Sequence, residues 1–238
     1  ALPWLNFGIA FASWGKKPKT LNPYALNLNY SVNPLLWGSN FLMGTPDGSP
    51  DANLRGALTT TWEAGLDLRF AKNKVRMNLT YYNENNRDEP LAVSVSGVSG
   101  FTSQTINAAW VSRSGLELEL GVDLMKKKDF NWTVNTTVAY LLDNKVKALA
   151  PGLTSYTLAG GSFGTRFARA FHFVGEQWGM LRGGGIARNA DGQPLITTNG
   201  FSGGLGWYQR DATKDWGSVV PKLTGGLQNF FSYKNFNL

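Results

Sequence analysis

Few side chains in this sequence are equipped for covalent chemistry. His172 is the only histidine, and there is no cysteine. Transition-metal sites are built from clustered His and Cys ligands, so a lone imidazole in Phe171-His172-Phe173 points to local packing or hydrogen bonding. A His-dependent triad would have to use this residue, and no Gly-x-Ser-x-Gly elbow accompanies it. Glu117 and Glu119 stand two apart, which on a strand places both on one face, as a catalytic carboxylate pair would require. The same spacing arises on any solvated strand face, and that is the reading adopted. Gly160-Gly161 and Gly183-Gly184-Gly185 lack the Lys-Ser or Lys-Thr that completes a phosphate-binding loop. Asp47-Gly48-Ser49-Pro50-Asp51 lacks the spaced ligands and closing Glu of a calcium loop. Glycosylation sequons begin at Asn78, Asn131 and Asn135, each within a strand-like stretch whose polar face Asn and Thr would line anyway. These residues lead to the expectation of a protein that is not an enzyme and uses no cofactor or metal.

Binding is better served. Trp178, Trp207 and Tyr208 lie among glycines and charges in one long connection, and Trp37 lies in an earlier one. Aromatic faces stack on sugar rings or peptide side chains, and long loops often carry function. These four are the candidate substrate-binding residues; the competing reading is packing within a large loop.

The elements that would hold them have period two. Thr59–Phe70 sets Thr60, Trp62, Ala64, Leu66, Leu68 and Phe70 against Thr59, Thr61, Glu63, Gly65, Asp67 and Arg69. Val75–Asn83, Gly115–Met125 and Phe130–Leu141 alternate in the same way, with Glu117, Glu119 and Asp123 on the polar side of the second. Successive strand side chains point to opposite faces, so these are strands with one apolar and one polar face. Glu63, Asp67, Arg69, Arg76, Glu117, Glu119 and Asp123 all fall on the polar face. Asn6–Trp14 sets Phe7, Ile9 and Phe11 against Gly8, Ala10 and Ala12, whereas Gly226–Tyr233 is aromatic on both sides and its facing stays open.

The composition fits such strands. The 238 residues are 42% hydrophobic and 13% aromatic but only 16% charged, with 28 Gly and 10 Pro; an ordinary soluble domain is about 25% charged. No apolar run approaches the roughly 20 residues of a membrane-spanning helix, which excludes helix-bundle membrane proteins and leaves β-barrels open. The net charge of +7 is scattered apart from Lys126-Lys127-Lys128 and Lys16-Lys17, which argues against a nucleic-acid partner. The strands run 9 to 12 residues, against a mode of about 5–6 in globular sheets and about 9–11 for a bilayer-crossing strand.

The connections discriminate further. Ala71–Lys74, Lys126–Asp129 and Lys234-Asn235 are short turns, while Gly15–Leu58, Glu84–Ser114 and Leu142–Gly225 are long. Strict alternation places every short turn on one side, the pattern of outer-membrane barrels with tight periplasmic turns and long extracellular loops. A soluble β-sandwich binding module and a small outer-membrane barrel enzyme are the alternatives from other classes. The chain starts without Met and ends at Phe236-Asn237-Leu238 as a new alternation begins, so it reads as an excerpt. With about six strands it would leave two unpaired edges, and it is expected to exist only within a larger chain.

Particular residues carry a resemblance. Thr61-Trp62-Glu63-Ala64-Gly65-Leu66-Asp67-Leu68-Arg69-Phe70 with Tyr81-Tyr82-Asn83 resembles the barrel of the SusC/RagA family of TonB-dependent outer-membrane transporters of Bacteroidetes. Thr102–Ala108, Gly115–Leu120, Asn144-Lys145-Val146, Pro221–Leu227 and Phe231–Phe236 extend the match in family order. One departure stands at Gly175-Glu176-Gln177, where the family often has Pro third, and it puts the local turn in question. The resemblance implies an all-β, antiparallel, up-and-down transmembrane β-barrel segment, about six strands of a barrel of about 22. Residues 1–238 would then be part of a single barrel domain whose plug domain and remaining strands lie elsewhere. It also implies active import of a large nutrient, a glycan or peptide, energised through TonB. The implied partners are a SusD-like lipoprotein lid and outer-membrane lipid, with TonB engaged by an N-terminal region not present here. A siderophore- or cobalamin-type TonB-dependent receptor is the nearest alternative.

Overall fold

The computed structural model describes residues 4–163, 168–197 and 206–238. It divides into two compact units, Ala1–Asp143 with Leu223–Leu238, and Asn144–Lys222. The main sheet contains β1 (Leu5–Pro18), β2 (Leu58–Phe70), β3 (Val75–Ser94), β4 (Ser103–Lys126), β5 (Phe130–Ala148), β6 (Leu223–Tyr233) and β7 (Phe236–Asn237). Sheet order follows chain order from β1 to β7. The registered pairs among these strands are antiparallel, and one short strand, Gly48–Pro50, adds in parallel to Ser103–Thr105. Among the described residues, β1 pairs with β2 alone, so the sheet is an open wall rather than a closed barrel.

The strands outrun the periodic stretches. β3 and β4 have 20 and 24 residues, and their ladder continues to Ser94↔Ser103. The expected long connection Glu84–Ser114 is therefore mostly a hairpin arm closed by residues 95–102. Alternation is lost there because the register shifts between Asn86 and Pro90, where Asp88 has φ 60°. The Asn107 side chain donates to the Arg55 and Asp88 carbonyls (2.7 and 2.6 Å) and accepts from Arg55 N–H (2.8 Å), satisfying the irregular backbone.

The short turns are tight by local chemistry. Ala71, Lys72 and Asn73 all have positive φ. This conformation is held by Asn6, whose side-chain oxygen accepts from the Lys72 and Asn73 N–H groups at 2.6 and 3.3 Å.

Registers fix the faces. Directly paired residues share a face, so Ala12, Ala64, Tyr81 and Leu116 stand together, as do Ala10, Leu66, Leu79 and Leu118. β6 pairs Leu227 with Thr136, Phe231 with Trp132 and Tyr233 with Phe130. Its apolar-side residues are thus Leu223, Gly225, Leu227, Asn229, Phe231 and Tyr233. Asn229 is tolerated there because it accepts from Trp132 Nε1 (3.2 Å).

Rings mark two levels of this apolar face. Trp14 pairs with Trp62, Tyr81 packs against Trp62 (5.2 Å between centroids), and the backbone of Tyr140 on β5 passes beside Gly115, next in chain to Leu116 of the Tyr81 rung. Beside the short turns, Trp4 stacks on Phe70 (5.6 Å) and Trp132 on Phe231 (5.3 Å).

The second unit contains a four-stranded sheet in the order Asp215–Ser218, Met180–Arg182, Ala168–Phe173, Ser155–Phe163. His172 and Val146 are fully buried in it. Val146 exchanges backbone hydrogen bonds with Glu176 and Gly175, and Trp178 N–H donates to the Asn144 carbonyl. These bonds use the Glu176 carbonyl and the Trp178 N–H, so Gln177 in place of proline leaves the turn intact.

Candidate functional site

The polar face of the wall reads as rungs, each holding one residue from β1 to β4. From the short-turn end outward they are Phe7-Arg69-Arg76-Gly121, Ile9-Asp67-Asn78-Glu119, Phe11-Gly65-Thr80-Glu117, Ser13-Glu63-Tyr82-Gly115, Gly15-Thr61-Glu84-Arg113 and Lys17-Thr59-Asn86-Val111. Rungs are about 6.6 Å apart, two residues of strand.

Charge is unevenly distributed along them. At the turn end Arg76 makes a two-pronged ion pair with Asp123 (both bonds 3.0 Å), and Thr133 from β5 donates to the same carboxylate (3.0 Å). Arg69 lies 4.0 Å from Asp67 and its guanidinium covers the Phe7 ring at 4.8 Å. Farther out, Arg113 lies 3.8 Å from Glu84. The three rungs between these levels hold Asp67, Glu119, Glu117 and Glu63 and no basic side chain. Across β5 and β6 the face continues with Asn131, Thr133, Asn135, Thr137, Gly226, Gln228 and Ser232, all uncharged, and Phe230.

Three hollows follow this surface. One of about 460 Å³ includes Asp67, Arg69, Arg76 and Glu119, whose charges balance. The next, about 420 Å³, is lined by Phe11, Glu63, Tyr82, Glu84, Arg113 and Glu117, and carboxylates outnumber the base. Two glycines shape it: a Cβ on Gly65 would collide with the Phe11 ring, and one on Gly115 would lie 2.6 Å from the Tyr82 hydroxyl. The largest of the three, about 550 Å³, lies past the ends of β1 and β2, with asparagines 22, 27 and 29 on its lining and the Lys19–Glu89 ion pair (2.8 Å) at its edge.

Apart from the adjacent Trp207 and Tyr208, the aromatic candidates lie on separate elements. Trp178 is half-buried, its ring stacked on His172 at 3.4 Å and 17°. Trp207 and Tyr208 form a two-residue strand paired with Ile196–Thr197 and are 57% and 59% exposed. As strand neighbours they point to opposite sides, so they make no common platform. Trp37 ends a hairpin strand, Ser31–Trp37, of the other unit and is 76% exposed. His172 accepts a hydrogen bond from Gly179 N–H at Nδ1 (3.1 Å), and burial lowers its pKa to about 4. No group of three or more metal-ligating side chains occurs among the described residues.

Sequence reasoning placed Glu117 and Glu119 on the polar face but missed Phe7, Ile9 and Phe11 beside them. In β1 the bulky residues stand on the polar face, and Gly8, Ala10 and Ala12 on the apolar one. Only pairing with β2 reveals this, since β1 carries no charge between Leu5 and Gly15 to orient it.

Residues 1–237 match the family model described as TonB dependent receptor-like, beta-barrel. The chain belongs to this family. Among its TonB-dependent relatives, the receptor P26 of Formosa agariphila is 26% identical over 95% of this chain and 24% of its own length. The receptor SusC of Bacteroides thetaiotaomicron is 26% identical over 90% of this chain and 22% of its own. The chain thus spans about a quarter of these relatives. Among solved structures, the RagAB peptide transporter superposes with a TM-score of 0.69 at 20% identity, covering 98% of this chain and 26% of that one. The RagAB peptide importer in its closed-closed state gives 0.70 at 20% identity, over 100% and 26%. The SusC/RagA resemblance of the sequence and the antiparallel barrel-wall fold are both borne out, and the TonB-dependent receptor family is one of receptors and transporters.

Proposed function

We propose that the chain is a section of barrel wall from a SusC-like importer of the outer membrane, with its polar face lining the substrate path. The observation that carries this reading is the two-faced sheet. Trp62 to Phe70 and Trp14 to Trp4 separate the two ring levels by eight and ten residues. That is about 26–33 Å of strand, or about 20–25 Å of height at the usual tilt, near the roughly 25 Å apolar band of outer-membrane barrels. The charged residues of β2 and β4 between those levels stand on the opposite, polar face.

On this reading residues 1–238 belong to one barrel domain completed by other strands of a longer chain, which cover the open edge of β1. Import is energised through TonB, and a SusD-like lipoprotein closes the outer end. The cargo is a glycan or peptide, in keeping with a SusC relative and RagAB neighbours, and the wall performs no covalent chemistry on it. Trp207, Tyr208 and Trp37 are the exposed rings available for cargo, whereas one face of Trp178 is occupied by His172.

The test is uptake of fluorescent oligosaccharides and peptides by cells expressing the full-length transporter with its lipoprotein, with and without TonB. TonB-dependent accumulation of at least one cargo class is expected. Uptake of neither class, or uptake indifferent to TonB, overturns the reading.

A further inference from the structure

We propose that the short-turn rim between β4 and β7 is a binding site for the headgroups of anionic phospholipids in the periplasmic leaflet of the outer membrane. This rests on the reading of the chain as a section of outer-membrane wall and adds a lipid preference to it.

The rim is basic by sequence and narrow by topology. The β4–β5 turn presents Lys126, Lys127 and Lys128, the β6–β7 turn presents Lys234, and Asp129 is the one acid in these two turns. All four lysines are exposed. β4 to β7 are successive neighbours in the sheet, so the two turns occupy about 14 Å of rim, three strand spacings. A backbone bond from Lys234 N–H to the Asp129 carbonyl (2.9 Å) holds them side by side. The nearest acid inward on β4, Asp123, is engaged by Arg76 and Thr133 and does not offset the excess.

The rings place this charge on the lipid side. Phe130 pairs with Tyr233 and Tyr233 with Phe236, so the three share one rung of the apolar face at its turn end. Tyr233 and Phe236 are 53% and 78% exposed. The Lys234 ammonium lies 5.4 Å from the centre of the Tyr233 ring, which brings it to the outer side of the wall. Lys126 follows Val122 and Leu124 in the apolar series of β4. Rings at a membrane interface sit at headgroup depth, where lysine stems lie along apolar surface and their ammonium groups reach phosphate. The strands that complete the barrel lengthen this rim sideways, and a plug fills the interior, so neither covers the outer side. The occupant there is lipid. A zwitterionic headgroup carries its own cation beside the phosphate, whereas an anionic one leaves its charge for the lysines.

The experiment uses the full-length transporter with its lipoprotein, equilibrated in mixed micelles holding equal amounts of phosphatidylglycerol and phosphatidylethanolamine. Native mass spectrometry counts the lipids retained. Phosphatidylglycerol is expected to be enriched about fivefold or more, since one interfacial lysine supplies about that much. The variant Lys126→Gln, Lys127→Gln, Lys128→Gln, Lys234→Gln is expected to bring retention of the two lipids within about twofold of each other, and arginine at the same positions to preserve the enrichment. Lys16→Gln with Lys17→Gln, at the far end of β1, is expected to leave the enrichment within about twofold of its original value. Equal retention of both lipids by a transporter that still imports cargo overturns the inference while the import reading stands. So does an enrichment that survives the four glutamines, or one lost equally in the β1 variant. Displacement of phosphatidylglycerol by inorganic phosphate also refutes it, by assigning a simple anion site. If the fourfold variant fails to insert, Lys126→Gln and Lys234→Gln decide singly: each is expected to lower the enrichment about twofold, and no change in either overturns the inference. A full-length chain that stays monomeric without detergent sinks the import reading itself.

Discussion

The facing of the wall can be tested at adjacent residues. Leu66 stands four residues from both Trp62 and Phe70, so it lies midway between the two ring levels. It shares its rung with Ala10, Leu79 and Leu118, with no polar side chain among them. Asp67, one residue on, shares its rung with Asn78 and Glu119. Leu66→Arg puts a guanidinium at the depth where lipid is thickest in either direction, about 13 Å of strand from each ring level. The expected cost is about 2–4 kcal/mol, falling to about 1 kcal/mol or less near a ring level. Leu68→Arg, half-way to Phe70, should fall between. Asp67→Arg should cost under about 1 kcal/mol, because the new cation faces water and Glu119. Urea titrations of the full-length transporter refolded into lipid vesicles would read these as midpoint shifts at constant slope. Equal costs at 66 and 67, or a larger cost at 68 than at 66, would refute the assignment of faces and of depth.

Three further outcomes follow from particular contacts. His172 is buried and neutral with its pKa lowered to about 4. Its contribution to the stability of the Asn144–Lys222 unit is fully present above about pH 6.5 and lost as pH falls toward 4. This amounts to about 3 kcal/mol, readable by tryptophan fluorescence and absent in His172→Leu. Gly65→Ala should destabilise by about 1–3 kcal/mol through the Phe11 ring and the Leu79 carbonyl oxygen, which a Cβ would approach to 2.8 Å. Adding Phe11→Ala should recover part of that loss in the same urea assay, and strict additivity would rule out the contact. Arg76→Ala strips Asp123, only 14% exposed, of its cation. It should cost about 1–2 kcal/mol at neutral pH, and the deficit should shrink in acid as Asp123 protonates.

How much of this was legible in the sequence depends on what each strand had to bury. β2 and β4 announce their faces because one face excludes charge and the other accepts it, so Glu63, Asp67, Glu117 and Glu119 were placed correctly from alternation alone. In β1 the signal inverts. Large apolar residues at 7, 9 and 11 alternate with Gly and Ala, and size suggests the lipid side; pairing with Arg69, Asp67 and Gly65 puts them inside. A short side chain is permitted against lipid, which fills around it, whereas an inward Phe11 needs Gly65 opposite to lie flat. The outer arms of β3 and β4 were hidden for a different reason. Beyond the apolar band both faces meet water, so nothing enforces alternation, and the ladder is held by backbone bonds and by Asn107, which composition does not reveal. Trp178 shows the same limit within the second unit, because a ring beside glycines gives no sign in the sequence that one of its faces stacks on His172. Period-two reading thus recovers the faces where a solvent boundary acts on every residue. It fails where pairing partners decide, and the polar-face positions of β1 are such a place.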